Sequence, residues 1–200
     1  FRAGTISASV SAFAGRIQDF ILIQNGYAKR AGMMTRTATI ARNIDASTFG
    51  GEISVAYLPV CGWRAEASLA ATRGTNATDS LPLAQQPPLE GRLGLSYSTC
   101  TWSVGSLARV VASQHRYALR QGNIVGQDLG PSDGFSVFSL NAGWKPVAWM
   151  QLSAGVDNIL DRAYAEHLSR GGSLVAGFPA PSIRVNEPGR ALWFKADLSW

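Results

Sequence analysis

The chain ends on Ala191-Leu192-Trp193-Phe194-Lys195-Ala196-Asp197-Leu198-Ser199-Trp200, and this stretch decides the fold. Counting back from Trp200, every second residue is apolar: Leu198, Ala196, Phe194 and Leu192. Between them stand Ser199, Asp197, Lys195, Trp193 and Ala191, mostly polar. Side chains alternate across a strand with period two, so the segment predicts a strand with one apolar and one wet face. A soluble sheet uses that pattern too, but it rarely places a tryptophan at its last residue. An indole ring suits a boundary between an apolar phase and water.

The same alternation recurs upstream and divides the chain into eight segments, the terminal one included. The first, about Thr5 to Ile23, sets Ile6, Ala8, Val10 and Ala12 against Ser7, Ser9 and Ser11. The second runs about Thr37 to Leu58. The third, Trp63 to Arg73, opposes Trp63, Ala65, Ala67, Leu69 and Ala71 to Arg64, Glu66, Ser68 and Thr72. The fourth is Leu89 to Tyr97, and the fifth starts at Trp102 with Val104, Ala108 and Val110 outward. The sixth, Phe135 to Trp144, sets Phe138, Leu140, Ala142 and Trp144 against Ser139, Asn141 and Gly143. The seventh is Trp149 to Val156. No stretch carries a helical period, and apolar runs such as Phe20-Ile21-Leu22-Ile23 fall far short of the roughly 20 residues of a membrane helix.

Connection lengths alternate. Pro59 to Gly62, Ser98 to Thr101 and Lys145 to Ala148 are tight turns, whereas Gln24 to Arg36, Gly74 to Pro88, Gln114 to Gly134 and Asp161 to Pro188 are long. Tyr57, Trp63, Tyr97, Trp102, Trp144, Trp149 and Trp200 all fall beside a tight turn or at the terminus, so five of the six tryptophans gather at one end. Short turns on one side, long loops on the other and an aromatic girdle predict an all-β, antiparallel transmembrane β-barrel, with turns periplasmic and loops extracellular. The inward positions are rich in Ser, Gly, Thr, Arg and Glu, which suits a wide or plugged lumen better than a packed eight-stranded barrel. An arc of a larger barrel is therefore expected.

Composition excludes several classes. The net charge of +5 comes from scattered residues, with Lys29, Lys145 and Lys195 the only lysines against fifteen arginines. No basic stripe forms, so nucleic acid is not an expected partner. His115 and His167 lie in separate long loops without a nucleophile pattern, and solvated side chains are expected there; no enzyme and no catalytic residue follows. Cys61 and Cys100 fall in turns about two strand spacings apart, roughly 10 Å, beyond ordinary disulfide reach, so two free thiols are expected. The inward Glu52, Arg64, Glu66, Glu90, Arg92 and Arg109 are expected to be solvated, to pair across strands or to contact a plug.

Three segments carry a family resemblance. Ala41-Arg42-Asn43-Ile44-Asp45-Ala46 with Gly50-Gly51-Glu52, GVDNILDRAYAEHLSR (Gly155 to Arg170) and RVNEPGRALWFKADLSW (Arg184 to Trp200) resemble strand signatures of TonB-dependent outer-membrane receptors. PLAQQPPLEGRLGLSY, QGNIVGQDLG and the following SDGF resemble the copper-receptor subgroup. The terminal strand likewise resembles the closing strand of bacterial outer-membrane barrels. In the Gly155 to Arg170 motif, Asp157, Asn158 and Asp161 are expected to cap backbone amides where strand becomes loop. Pro188 marks a strand entrance and Gly189 permits a bend.

The resemblance implies that residues 1–200 supply the last eight or so strands of a barrel of about 22. The N-terminal plug would lie outside the chain. No start methionine or signal peptide precedes Phe1, so a truncated or processed product is expected. The implied location is the Gram-negative outer membrane. The implied partners are membrane lipid and lipopolysaccharide, the plug and remaining strands, the TonB complex through the plug, and the barrel assembly machinery. Copper uptake is the first implied function and a siderophore or cobalamin receptor the second; a passive porin, which would lack these motifs, and a soluble binding β-sandwich are the rival readings. Soft donors suit copper, and the candidates are Met33, Met34 and His167. Met33 and Met34 are neighbours in one loop and His167 lies in another, so neither a metal site nor a cofactor is expected within the chain.

Overall fold

A computed structural model describes every residue except Phe1, Gly4, Cys61, Phe178 and Trp200. The expectations for Cys61, and with it the pairing of Cys61 and Cys100, and for Trp200 lie outside the described residues; Cys100 itself is exposed. The strands are β1 (Arg2–Ala3), β2 (Ile6–Ala31), β3 (Met34–Tyr57), β4 (Trp63–Asn76), β5 (Leu81–Pro82), β6 (Glu90–Ser98), β7 (Trp102–Val111), β8 (Gln121–Gly122), β9 (Phe135–Val147), β10 (Met150–Asp157) and β11 (Ala191–Leu198). All strand pairs are antiparallel, in the order β1-β2-β3-β4-β6-β7-β9-β10-β11, with β5 on β4 and β8 on β2. No helix forms among the described residues, and the sheet does not close on itself. Eight of these strands are the eight alternating segments.

Register carries the alternation through the whole sheet. One row runs Val10, Ile53, Leu69, Gly91, Val110 and Ser136, and another runs Val104, Ala142, Ala154 and Phe194. Because pairing is in phase at every junction, the apolar sets merge into one continuous face. That face has no protein partner among the described residues: Val10 is 73% exposed and Leu192 82%. A large uncovered apolar face marks an interface, and strands of this period present it to lipid. The aromatics expected at one end are there. Tyr57, Trp63, Trp102, Trp144 and Trp149 are exposed beside the tight turns, and Tyr97 stacks between Trp63 (5.0 Å) and Trp102 (5.3 Å).

Of the four long connections, one is different from the expectation. Gln24 to Arg36 is no loop: β2 and β3 continue through it and turn only at Gly32 and Met33. A membrane strand needs about 9–11 residues, so hairpin strands of 26 and 24 residues project well past a bilayer. Beyond the lipid neither face is driven to be apolar, and the sequence loses its period there. Residues 77–89, 112–134 and 158–190 are the remaining long connections, all at the end opposite the aromatics. Leu83, from the first of these, closes the small buried core of the chain with Leu22, Ile44 and Ala46, while Phe20 packs against it.

Candidate functional site

The three long connections fold over the polar face and form a cap, and the site is built where cap meets wall. On the wall, Glu90 opens β6 and Arg109 lies near the end of β7, one strand over. Arg109 donates to Glu90 (2.7 Å) and to Glu166 of the 158–190 loop (2.5 Å), and Arg92 donates to Glu90 (2.6 Å). The Arg109 guanidinium also sits 5.2 Å from the Phe135 ring centroid, and Phe135 stacks on Tyr164 at 4.3 Å. One arginine thus ties wall to loop, as a planar, multi-donor cation does where two carboxylates converge. Nearer the aromatic end, Arg64 pairs with Glu66 beside a concavity of about 570 Å³ also lined by Ser9, Ser54 and Arg92. Glu52 makes no ion pair among the described residues.

The base of the 158–190 loop explains the two motifs at its ends. Asn158 (φ 49°) and Asp161 (φ 53°) both adopt the left-handed conformation, which short Asn and Asp side chains tolerate best after glycine. Asn158 receives the Arg162 N–H on its side-chain oxygen (2.9 Å) and donates back to the Arg162 carbonyl (2.8 Å). Asp161 Oδ1 accepts the Arg190 N–H at 2.8 Å. A Cβ at residue 189 would lie 2.7 Å from that same oxygen. The glycine therefore makes room for the carboxylate just before the chain bends at Arg190 into β11. The two motifs meet across the loop base.

The cap is held together by a buried carboxylate. Asp128, 1% exposed, accepts the Gln85 N–H (2.9 Å) and the Ala118 N–H (2.8 Å), and its Oδ1 stands 3.8 Å from His167 Nε2. All three loops converge on this one side chain. His167 is 3% exposed, contrary to the solvated histidine expected from sequence. Its Nδ1 lies 3.0 Å from Ser132 Oγ, while Arg184 donates to the carbonyls of His167 (3.1 Å), Pro131 (2.7 Å) and Gly130 (2.6 Å). Burial above all, with the Arg184 cation adding, pushes the imidazole below its ordinary pKa although Asp128 opposes them. On the first loop, Arg42 of β3 pairs with Asp79, and Asn76 donates to Asp79 (2.6 Å). The guanidinium holds the Asp79 carboxyl below the usual range.

The suggested metal donors do not come together. Met33 is fully exposed at the hairpin tip, whereas His167 is enclosed in the cap. No group of three or more His, Cys, Asp or Glu residues suited to a metal occurs among the described residues. Asp128, Tyr164, Glu166 and Arg184 all lie within the segments that carry the family resemblance, but none was singled out for a role in the sequence, and no local pattern marks their convergence.

Residues 1–159 match the family model for the TonB dependent receptor-like β-barrel. The fold superposes on the Copper transporter OprC with TM-score 0.91 and 44% identity, covering all of this chain and 30% of that one. It also superposes on the FrpB iron transporter from Neisseria meningitidis (TM-score 0.67, 18% identity, 99% of this chain and 28% of that one). A mutant ferric enterobactin receptor from Pseudomonas aeruginosa gives TM-score 0.70 and 16% identity, over 100% of this chain and 30% of that one. Among curated protein sequences none matches. The chain thus spans less than a third of the length of these transporters. With its apolar face, its girdle, its loop cap and this match, the chain belongs to the TonB-dependent receptor β-barrel family, whose members are outer-membrane transport receptors.

Proposed function

We propose that the chain forms the C-terminal part of a receptor barrel for active uptake of a metal ion or chelate, with copper the leading cargo. The observation that carries the cargo is the 44% identity, over the whole chain, with a protein described as a copper transporter. The iron and siderophore receptors share the fold at 16–18% identity, which speaks to architecture alone. In this role the chain supplies wall and cap: a polar face for the plug, an apolar face for lipid, and loops above the entrance. The partners are the N-terminal plug, the remaining barrel strands, the TonB complex acting on the plug, outer-membrane lipid and the barrel assembly machinery.

Copper chemistry is assigned to parts of the receptor outside this segment, since the soft donors Met33 and Met34 lie apart from the enclosed His167. The isolated chain should therefore neither bind copper(I) tightly nor sustain uptake. The test is deletion of the full gene followed by measurement of cell-associated copper and iron under limitation of each. Loss of copper accumulation, restored by the full gene and not by residues 1–200 alone, supports the proposal. A defect in siderophore-bound iron or cobalamin uptake with copper unchanged would replace the cargo.

A further inference from the structure

The outward face carries two arginines at its loop-side edge that have no carboxylate partner among the described residues. Arg73 lies on β4, ten residues above Trp63 and on the same face. Ten residues span roughly 33 Å of strand, or about 25 Å of bilayer depth at the usual tilt, the height of a barrel's apolar band. Trp63 therefore sits at one membrane boundary and Arg73 at the other. Arg16 holds the matching place on β2, ten residues above Ile6, the partner of Tyr57.

Register places these cations together. Arg16, Ser47 and Thr75 form one outward row across β2, β3 and β4; Ala14, Phe49 and Arg73 form the row beneath it. The two arginine Cα atoms are thus two strand spacings and one diagonal step apart, about 12 Å, so extended side chains can converge between them. Both side chains are exposed, and neither takes part in an ion pair or a side-chain hydrogen bond among the described residues. The Ser47 hydroxyl lies between them on β3, and that of Thr75 adjoins Arg73 on β4. Farther from the membrane stand the carboxylates of Asp45, on the same face, and Asp19, in the β2 bulge. An anion is attracted at the level of the arginines and repelled above it.

Below them the apolar face is grooved. A concavity of about 470 Å³ opens outward between Ile53, Val55, Leu69, Leu93 and Val110, where Gly91 stands beside Leu69 without a side chain to fill the row. The opposite boundary carries aromatic rings on this face and no cation among the described residues. Guanidinium pairs favour phosphate through bidentate hydrogen bonds, and the leaflet on the loop side is the one built from phosphorylated glycolipid.

We propose that Arg16, Ser47, Thr75 and Arg73 hold a phosphate of an outer-leaflet glycolipid of the lipid A type, whose acyl chains lie along the groove below. The site rests on the outer-membrane placement given under Proposed function, with loops outward. Its test uses the full-length protein extracted from outer membranes in mild detergent, with native mass spectrometry of bound hexa-acylated bisphosphorylated lipid A. Retention should fall about tenfold or more in Arg16→Ser/Arg73→Ser, the scale of one lost charge-assisted hydrogen bond, and stay unchanged in Arg36→Ser near the hairpin tip. If the double variant fails to assemble, the unaltered protein decides, because dephosphorylated lipid A should bind it similarly weakly. Equal binding with and without phosphate, or phosphatidylglycerol bound as tightly as lipid A, would overturn the site. Absence of the unaltered protein from the outer-membrane fraction would instead refute the placement, and the site with it.

Discussion

Asp161 does two jobs with one carboxylate oxygen: it receives the Arg190 N–H and fills the space that a side chain at 189 would need. Asp161→Ala should weaken the base of the 158–190 loop by about 1 kcal/mol, a typical net hydrogen-bond value. Gly189→Ala should do the same by pushing the carboxylate away. Limited proteolysis would show both as faster cleavage within 158–190 and unchanged cleavage elsewhere; rates equal to the unaltered protein would contradict the pairing of the two motifs. That Asn158 and Asp161 cap backbone groups was legible in their residue types and in their place after a strand. That Asp161 reaches residue 190 was not, because the contact joins two ends of a loop whose path has no period. His167 was illegible for a related reason: burial in a cap depends on three loops converging on Asp128, and no local pattern encodes that. Its pH behaviour follows from the burial. With the folded imidazole pKa lowered, histidine is neutral in both the closed and the opened cap above about pH 6.5. As pH falls below that value the opened cap takes up a proton that the closed one resists, so cap stability declines. Amide hydrogen exchange in 112–134 and 158–190, corrected for its intrinsic pH dependence, should report progressive opening below about pH 6.5. His167→Asn should flatten that response, and a cap equally protected at pH 5 and pH 8 would contradict it.

The strands show where a period-two pattern speaks and where it falls silent. From Phe138 to Trp144 apolar residues alternate strictly with small or polar ones, lipid against lumen, and β9 forms as expected with Leu140 opposite Val156 and Ser106. The hairpin above Gly26 is exposed, so selection for alternating polarity is absent and a strand there looks like a loop in sequence. β5 and β8, two residues each, pair onto longer strands through backbone bonds alone and leave no side-chain signature. The distinction yields a prediction for β9. Leu140→Arg should cost assembly about 2–4 kcal/mol if the residue lies near the bilayer midplane, because the cation is forced into hydrocarbon. Asn141→Arg, one position on, projects into the polar interior and should be tolerated. Heat-modifiable mobility of the assembled barrel in gels measures both; equal tolerance at the two positions would mean that Leu140 does not face lipid.

On the scale of the whole molecule, tight turns with aromatics stand at one end, three packed loops stand at the other, and an apolar face runs between. This polarity was legible in the sequence because turn length and tryptophan position are local features. The open edges of the sheet fit an arc of a barrel whose other strands lie outside residues 1–200, and β8 lies against the free edge of β2. The proposed receptor role requires the chain to cross an outer membrane with the cap outside. Cysteine labelling of intact cells with a membrane-impermeant maleimide tests it, in full-length protein with Cys61 and Cys100 changed to Ser. Ile124→Cys, in the 112–134 loop, and Val60→Cys, in a tight turn, both replace well-exposed side chains. Ile124→Cys should label in intact cells and Val60→Cys only after the membrane is broken; labelling of Val60→Cys in intact cells, with Ile124→Cys protected or equally reactive, would contradict the placement of the chain.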